Sequence, residues 1–103
     1  MTIKESKDVV FNNSKFRNTE MFDLINISDS KNVLFNSCEI SDNETISNEH
    51  IFNLGNVEPK LIVKDTVIKN NTAGYLQKYK EDIYFSNITS DNNNFANEVY
   101  EID

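Results

Sequence analysis

Val33-Leu34-Phe35-Asn36-Ser37-Cys38-Glu39-Ile40-Ser41-Asp42 holds two short alternations separated by a polar break. Val33 and Phe35 flank Leu34, so their side chains share one face of an extended segment and Leu34 takes the other. Asn36-Ser37 interrupts the run. Cys38 and Ile40 then resume the same inward parity, and Ser41-Asp42 ends it. The phrase occurs 24 residues earlier as Val9 to Asn18, 28 residues later as Leu61 to Asn70, and 22 residues beyond that as Ile83 to Asn92. Repeats at such a period describe one structural unit stacked on copies of itself, because one unit cannot bury its own apolar face.

Each copy predicts a strand, a polar corner and a second short strand. The inward columns are Val9, Val33, Leu61 and Ile83; then Phe11, Phe35, Val63 and Phe85; then, past the corner, Ser14, Cys38, Thr66 and Ile88. A last column runs through Phe16, Ile40 and Ile68, and Ser90 breaks it in the fourth copy. A second corner follows at Asn18, Asp42-Asn43, Asn70-Asn71 and Asn92-Asn93-Asn94. Between copies lies a third apolar leg. Met21-Phe22-Asp23-Leu24-Ile25-Asn26-Ile27 aligns with Ile51-Phe52-Asn53-Leu54-Gly55-Asn56-Val57, and Tyr75-Leu76 and Phe95 to Val99 are expected in the same place. The fold expected is all-β: a single-domain parallel β-helix (β-solenoid) over residues 1–103, with about four short turns and three strands per turn. Residues 1–7 and 97–103 are expected as caps. An antiparallel sandwich explains the alternation but not the recurring order of strand and corner. The phrase Val33 to Asn43 resembles the repeat of right-handed parallel β-helices of the pectate-lyase-like superfamily, over roughly Asp8 to Val99. That resemblance implies the scaffold and leaves the activity open, since one scaffold carries many functions.

Seventeen Asn against two Gly assign the corners to Asn, which tolerates left-handed backbone angles. Net charge is −7 with a single Arg, so a basic stripe for gripping phosphates is not expected, nor is direct nucleic-acid binding. The lone cysteine, Cys38, gives no disulfide framework and reads as a core thiol at a tight corner. No apolar run approaches a membrane span and no charged-then-apolar leader opens the chain, so a cytoplasmic protein is expected.

The resemblance implies enzymes that cut acidic polysaccharides with clustered carboxylates and basic groups. The single Arg and single His lie in no such motif, and Asn18-Thr19-Glu20 matches the Asn-Thr-Asp of polygalacturonases only faintly. His50 reads as a solvated loop residue. Asp42, Glu44 and Glu49 could offer a weak calcium site, although their spacing fits no EF-hand. Neither a cofactor nor a resident metal is expected.

The outward positions of the first strand are Val10, Leu34, Ile62 and Tyr84, which stack into an apolar stripe. Contact groups are expected from that stripe and from acidic residues, chiefly Glu39, Asp42, Glu44 and Glu49, with Asp29, Asp91, Glu98 and Glu101 behind them. The function expected is a non-enzymatic acidic module that binds another protein with a basic surface. An inhibitor of a nucleic-acid-processing enzyme fits that description, of anti-restriction, anti-CRISPR or toxin-immunity type. The alternatives are an extracellular glycan-binding or glycan-cleaving β-helix fragment, as in a tailspike or adhesin, and a purely structural oligomer. A homodimer built along the stripe or end to end is also weighed.

Overall fold

The computed structural model describes residues 1–76 and 83–96. The chain winds through about four turns with three or four strands in each, and every pairing among the described strands is parallel. Four short sheets run along the stack. Sheet A holds β1 (Thr2–Lys4), β5 (Ile25–Ser28) and β9 (Phe52–Leu54). Sheet B holds β2 (Lys7–Asn12), β6 (Ser30–Asn36), the divided leg β10 (Val57–Glu58) and β11 (Leu61–Lys64), and β14 (Ile83–Ser86). Sheet C holds β3 (Lys15–Arg17), β7 (Glu39–Ser41), β12 (Val67–Lys69) and β15 (Thr89–Asp91). Sheet D holds β4 (Glu20–Met21), β8 (Glu44–Thr45), β13 (Thr72–Ala73) and β16 (Asn94–Phe95). No helix among the described residues is long and apolar enough to cross a membrane.

The repeat read from the sequence is the physical register. Phe11 lies opposite Phe35, Phe35 opposite Val63, and Val63 opposite Phe85. Phe11 and Phe35 stack at 4.9 Å between ring centroids, and Phe16 and Phe52 meet Phe35 edge-on at 5.6 and 5.8 Å. Edge-to-face contacts add to the burial of large rings, so this column anchors the core. Cys38 and Thr66 are buried in the corner column as expected, and Ser90 is exposed where it replaces a large residue.

Neither glycine supplies a positive-φ corner: among the described residues, thirteen non-glycine residues have positive φ, and ten of them are Asn or Asp. Asn13, Ser37, Asp65 and Asn87 turn sheet B into sheet C; Asn18, Asp42, Asn70 and Asn92 turn sheet C into sheet D. The next residue in three of the C–D corners, Asn43, Asn71 or Asn93, points inward and forms an amide ladder. Asn43 Nδ2 donates to Asn71 Oδ1 at 3.0 Å, and Asn71 Nδ2 donates to Asn93 Oδ1 at 2.9 Å. Asn71 is fully buried and uses its whole hydrogen-bonding capacity: its Oδ1 also accepts from the Asn43 backbone N–H, and its Nδ2 also donates to the Ile40 carbonyl. Thr19 occupies the first turn's place, where its N–H donates to Asn43 Oδ1.

The third leg departs from the expected alignment. Ile25 pairs with Phe52 and Ile27 with Leu54, a shift of three residues from the match read in the sequence. Met21 pairs instead with Thr45 in sheet D. The three-residue 3-10 turn Ile46–Asn48, inserted at the D–A corner of the second turn, lengthens the step from 24 residues (Met21 to Thr45) to 27 (Ile25 to Phe52), short of the 30 that the sequence match implies. Phe22 is therefore not a core residue: it is 61 % exposed. Phe95 pairs with Ala73 in sheet D, away from the third leg, while Tyr75-Leu76 does lie against His50 to Phe52. Residues 1–7, expected as a cap, supply β1 and open β2, laid on β5 and β6 in the first turn. The other expected cap, 97–103, lies outside the described residues.

Candidate functional site

Two surfaces stand out, on either side of sheet A. The first is the outer face of sheet B. Register places Val10 against Leu34, Leu34 against Ile62, and Ile62 against Tyr84, so the expected stripe is a continuous column. Its ends are the most open, with Val10 52 % and Tyr84 57 % exposed. Beside it the third turn carries an extra residue. Val57 pairs with Ser30 but Ile62 pairs with Leu34, so the segment around Pro59 and Lys60 bulges out. Pro59 has no N–H to give a ladder, which suits it to this break. The bulge forms one wall of a groove of about 270 Å³, floored by Val10, Val33, Leu34 and Ile62 and bounded by Asp8, Asn32, Pro59 and Lys60.

The second surface is the outer face of sheet D and the D–A corner. Glu20 and Glu44 pair directly. Two residues further along each chain, beyond the paired Met21 and Thr45, stand Phe22 and Ile46, with Ile46 37 % exposed. Asp42 turns the corner before Glu44, and Asp23 and Glu49 follow Phe22 and the 3-10 turn. The stretches 18–24, 42–51, 70–76 and 92–96 contain these five acidic residues and no Lys or Arg. Every described Lys and Arg lies on sheets A, B and C or their joints. The Glu44 carboxyl is held above its ordinary pKa by its hydrogen bond to the Glu20 carboxyl, then by that neighbour's charge and by burial.

The structure thus separates the residues expected to act together. Val10, Leu34, Ile62 and Tyr84 share sheet B. Glu39 lies on sheet C, Asp42 at the C–D corner, Glu44 on sheet D and Glu49 beyond it. Glu39 is also engaged locally. Ser41 Oγ donates to its carboxylate at 2.8 Å, and that bond, with Lys69, Lys15 and Arg17 nearby, lowers its pKa against the opposing effect of burial.

His50 is not a solvated loop residue: its side chain is 14 % exposed and its ring stacks on Tyr75 at 4.8 Å. Asp23, absent from the expected calcium group, is its main partner. Asp23 Oδ1 accepts from the His50 backbone N–H at 3.0 Å and lies 3.1 Å from Nδ1, while Asn53 Nδ2 donates to Oδ2. Among the described residues the potential metal-ligating group is Asp23, Glu49 and His50, not Asp42, Glu44 and Glu49, with its three ligand atoms within 4.8 Å of one another. The hydrogen-bond pattern assigns the proton to Nδ1, facing Asp23. A cation on Nδ1 would push that proton to Nε2, which is buried and has no partner. The dyad therefore acts as a hydrogen-bonded lock on the D–A corner through Nδ1, and its buried Nε2 is closed to a substrate.

Sequence reasoning missed the exposed Phe22 and the Asp23–His50 contact. A signal for the first was present: the 24-residue step that carries Glu20 to Glu44 carries Phe22 to Ile46, outside the core columns. No protein-family model, no curated protein and no solved structure matches the chain.

Proposed function

We propose that this protein is a non-catalytic interaction module that binds another protein through the acidic D–A corner, with Phe22 as the apolar anchor. The observation that carries this reading is the charge division: among the described residues, sheet D and the D–A corner hold five acidic residues and no Lys or Arg, together with an aromatic ring that is 61 % exposed. An aromatic anchor inside a charged rim is the usual anatomy of a protein-binding hot spot. The rim's sign selects a basic partner, and a nucleic-acid-processing enzyme supplies such a surface in its phosphate-binding groove. The likeness of the repeat to pectate-lyase-like coils belongs to the same proposal and supports the scaffold alone.

The test is a titration of the purified chain against a panel of nucleases with basic grooves, read as loss of cleavage at several salt concentrations. Inhibition that weakens steeply with salt, and falls at least tenfold in both Phe22→Ser and the Glu20→Lys, Glu44→Lys double variant, supports the reading. Inhibition indifferent to salt and to both variants refutes the assigned surface. No inhibition across the panel refutes the partner class.

A further inference from the structure

The two ends of the coil are not alike. In the fourth turn the inward residues Ile83 and Phe85 are buried, at 5 and 9 % exposure. Their first-turn equivalents Val9 and Phe11 are only half-buried, as is Phe16, while Val33, Phe35 and Ile40 in the second turn are sealed. The core therefore opens at the first turn. Among the described residues, β1, β2, β3 and β4 each pair on one side only, with β5, β6, β7 and β8. Met1 does not fold over this end: its ammonium donates to the Leu24 carbonyl and its carbonyl accepts from the Asn26 N–H, both in the second turn. A row of free N–H and C=O groups beside an open apolar core is a template for another strand edge.

We infer that the first-turn end is a dimer face and that its occupant is the same end of a second copy, related by a two-fold axis through Val10. Rotation about that axis sets the facing strands antiparallel. β2, the longest free edge at six residues, then pairs with itself: Val10 meets the copy's Val10 and Val9 meets its Phe11, so inward residues stay opposite inward residues. Sheets A and C flank sheet B, so the same rotation lays β1 on the copy's β3. Both are three residues long with an inward residue at the centre, Ile3 and Phe16. The face is thus self-complementary, as a two-fold contact requires. Its charge also permits the approach. In a chain of net charge −7, residues 1–21 hold four Lys or Arg against three Asp or Glu. The molecule measures 31 × 26 × 23 Å, so the end of the coil is at least 26 by 23 Å across, and closing two copies on it removes about 1,000 Å² from water, the lower bound of a specific interface. Glu20 faces the copy's Glu20 across β4, which keeps the association weak and dependent on concentration.

This inference rests on the open end and does not require the foreign partner proposed above. Sedimentation velocity over a concentration series tests it. The wild-type chain is expected to approach twice its mass and stop there. Val10 is 52 % exposed, so a charge placed there spares the core. Val10→Asp and Val10→Lys each set like charges face to face on the axis and are expected to weaken the dimer at least tenfold, with unchanged circular dichroism spectra. Mixed in equal amounts, the two variants pair with each other and the dimer returns, because on a two-fold axis a residue meets itself. Tyr84→Asp, at the far end of the same outward column, is expected to dimerise like the wild type. A wild-type chain that stays monomeric at millimolar concentration overturns the inference, as does mass that grows beyond two copies. A dimer indifferent to both Val10 variants, or a mixture of them that stays monomeric, overturns it too. So does loss of the dimer in Tyr84→Asp, which would place the contact along the outer face of sheet B. Phe22 and the carboxylates of the D–A corner are untouched in Val10→Asp, so this variant retains inhibition of the basic enzyme, and failure of self-association is distinguishable from failure of the proposed function.

Discussion

The outer face of sheet B and the D–A corner are built on the same coil, yet they arise differently. The B face is a product of repetition: one outward position, copied through four strands as Val10, Leu34, Ile62 and Tyr84, becomes a column. The D–A corner is a product of interruption. Its exposed apolar residues, Phe22 and Ile46, come from the first two turns, and in the later turns the Glu20 and Glu44 column continues as Thr72 and Asn94. Repetition makes long uniform surfaces, while a local insertion makes a compact one of different charge.

The largest blow to that contrast is to remove what holds both regions in place. Phe35 is fully buried and touches Phe11, Phe16 and Phe52, so Phe35→Ala is expected to cost about 3–5 kcal/mol in denaturant unfolding, a large share of a typical domain's stability. Both surfaces are lost together. A variant that loses less than about 1 kcal/mol would show that the column is not the spine of the fold.

A cut at the lock of one region separates them. Asp23→Ala deprives the His50 N–H and ring of their acceptor, with an expected loss of about 1–3 kcal/mol. Hydrogen exchange is expected to quicken at His50 and Asn53 and to stay unchanged at Leu34 and Ile62. Equal quickening on both sides would show that the corner is not an independent unit.

The smallest effect sharpens the electrostatic side. Glu44 has a raised folded pKa, so its contribution to stability is present below the ordinary carboxylate pKa and is lost as pH rises through the raised value. At pH 7 the Glu20 and Glu44 charges repel. Glu44→Gln is therefore expected to raise the melting temperature slightly at pH 7 and to leave it unchanged at about pH 4 and below. A drop at pH 7 would show that the pair is not in like-charge contact.

What could be read from the chain follows the same division. The B and C columns were legible because burial imposes one parity on every turn, and Val9, Phe11 and their equivalents obey it. The paired asparagines marked the corners, but nothing in Asn70-Asn71 says which one turns and which points in. That choice is made by φ, positive at Asn70, and by the carbonyls Asn71 finds inside. At the D–A corner the likeness of Met21-Phe22 to Ile51-Phe52 suggests a step of 30 residues, while the inserted Ile46–Asn48 turn makes it 27, so Phe22 falls outside the core column. Asp23 and His50, 27 residues apart, meet only after that shift. A net charge of −7 gave the sum of the charges but not their distribution over the faces.

The 3-10 turn at Ile46–Asn48 lengthens one corner while the columns of sheets B and C keep their register above and below it. Foreign peptide spliced there would leave the coil on a fixed platform, held at one end by Thr45 Oγ1 donating to the Glu49 carbonyl. Evolution has the same freedom: this bend can be rewritten to suit a new target while the scaffold beneath it stays constant.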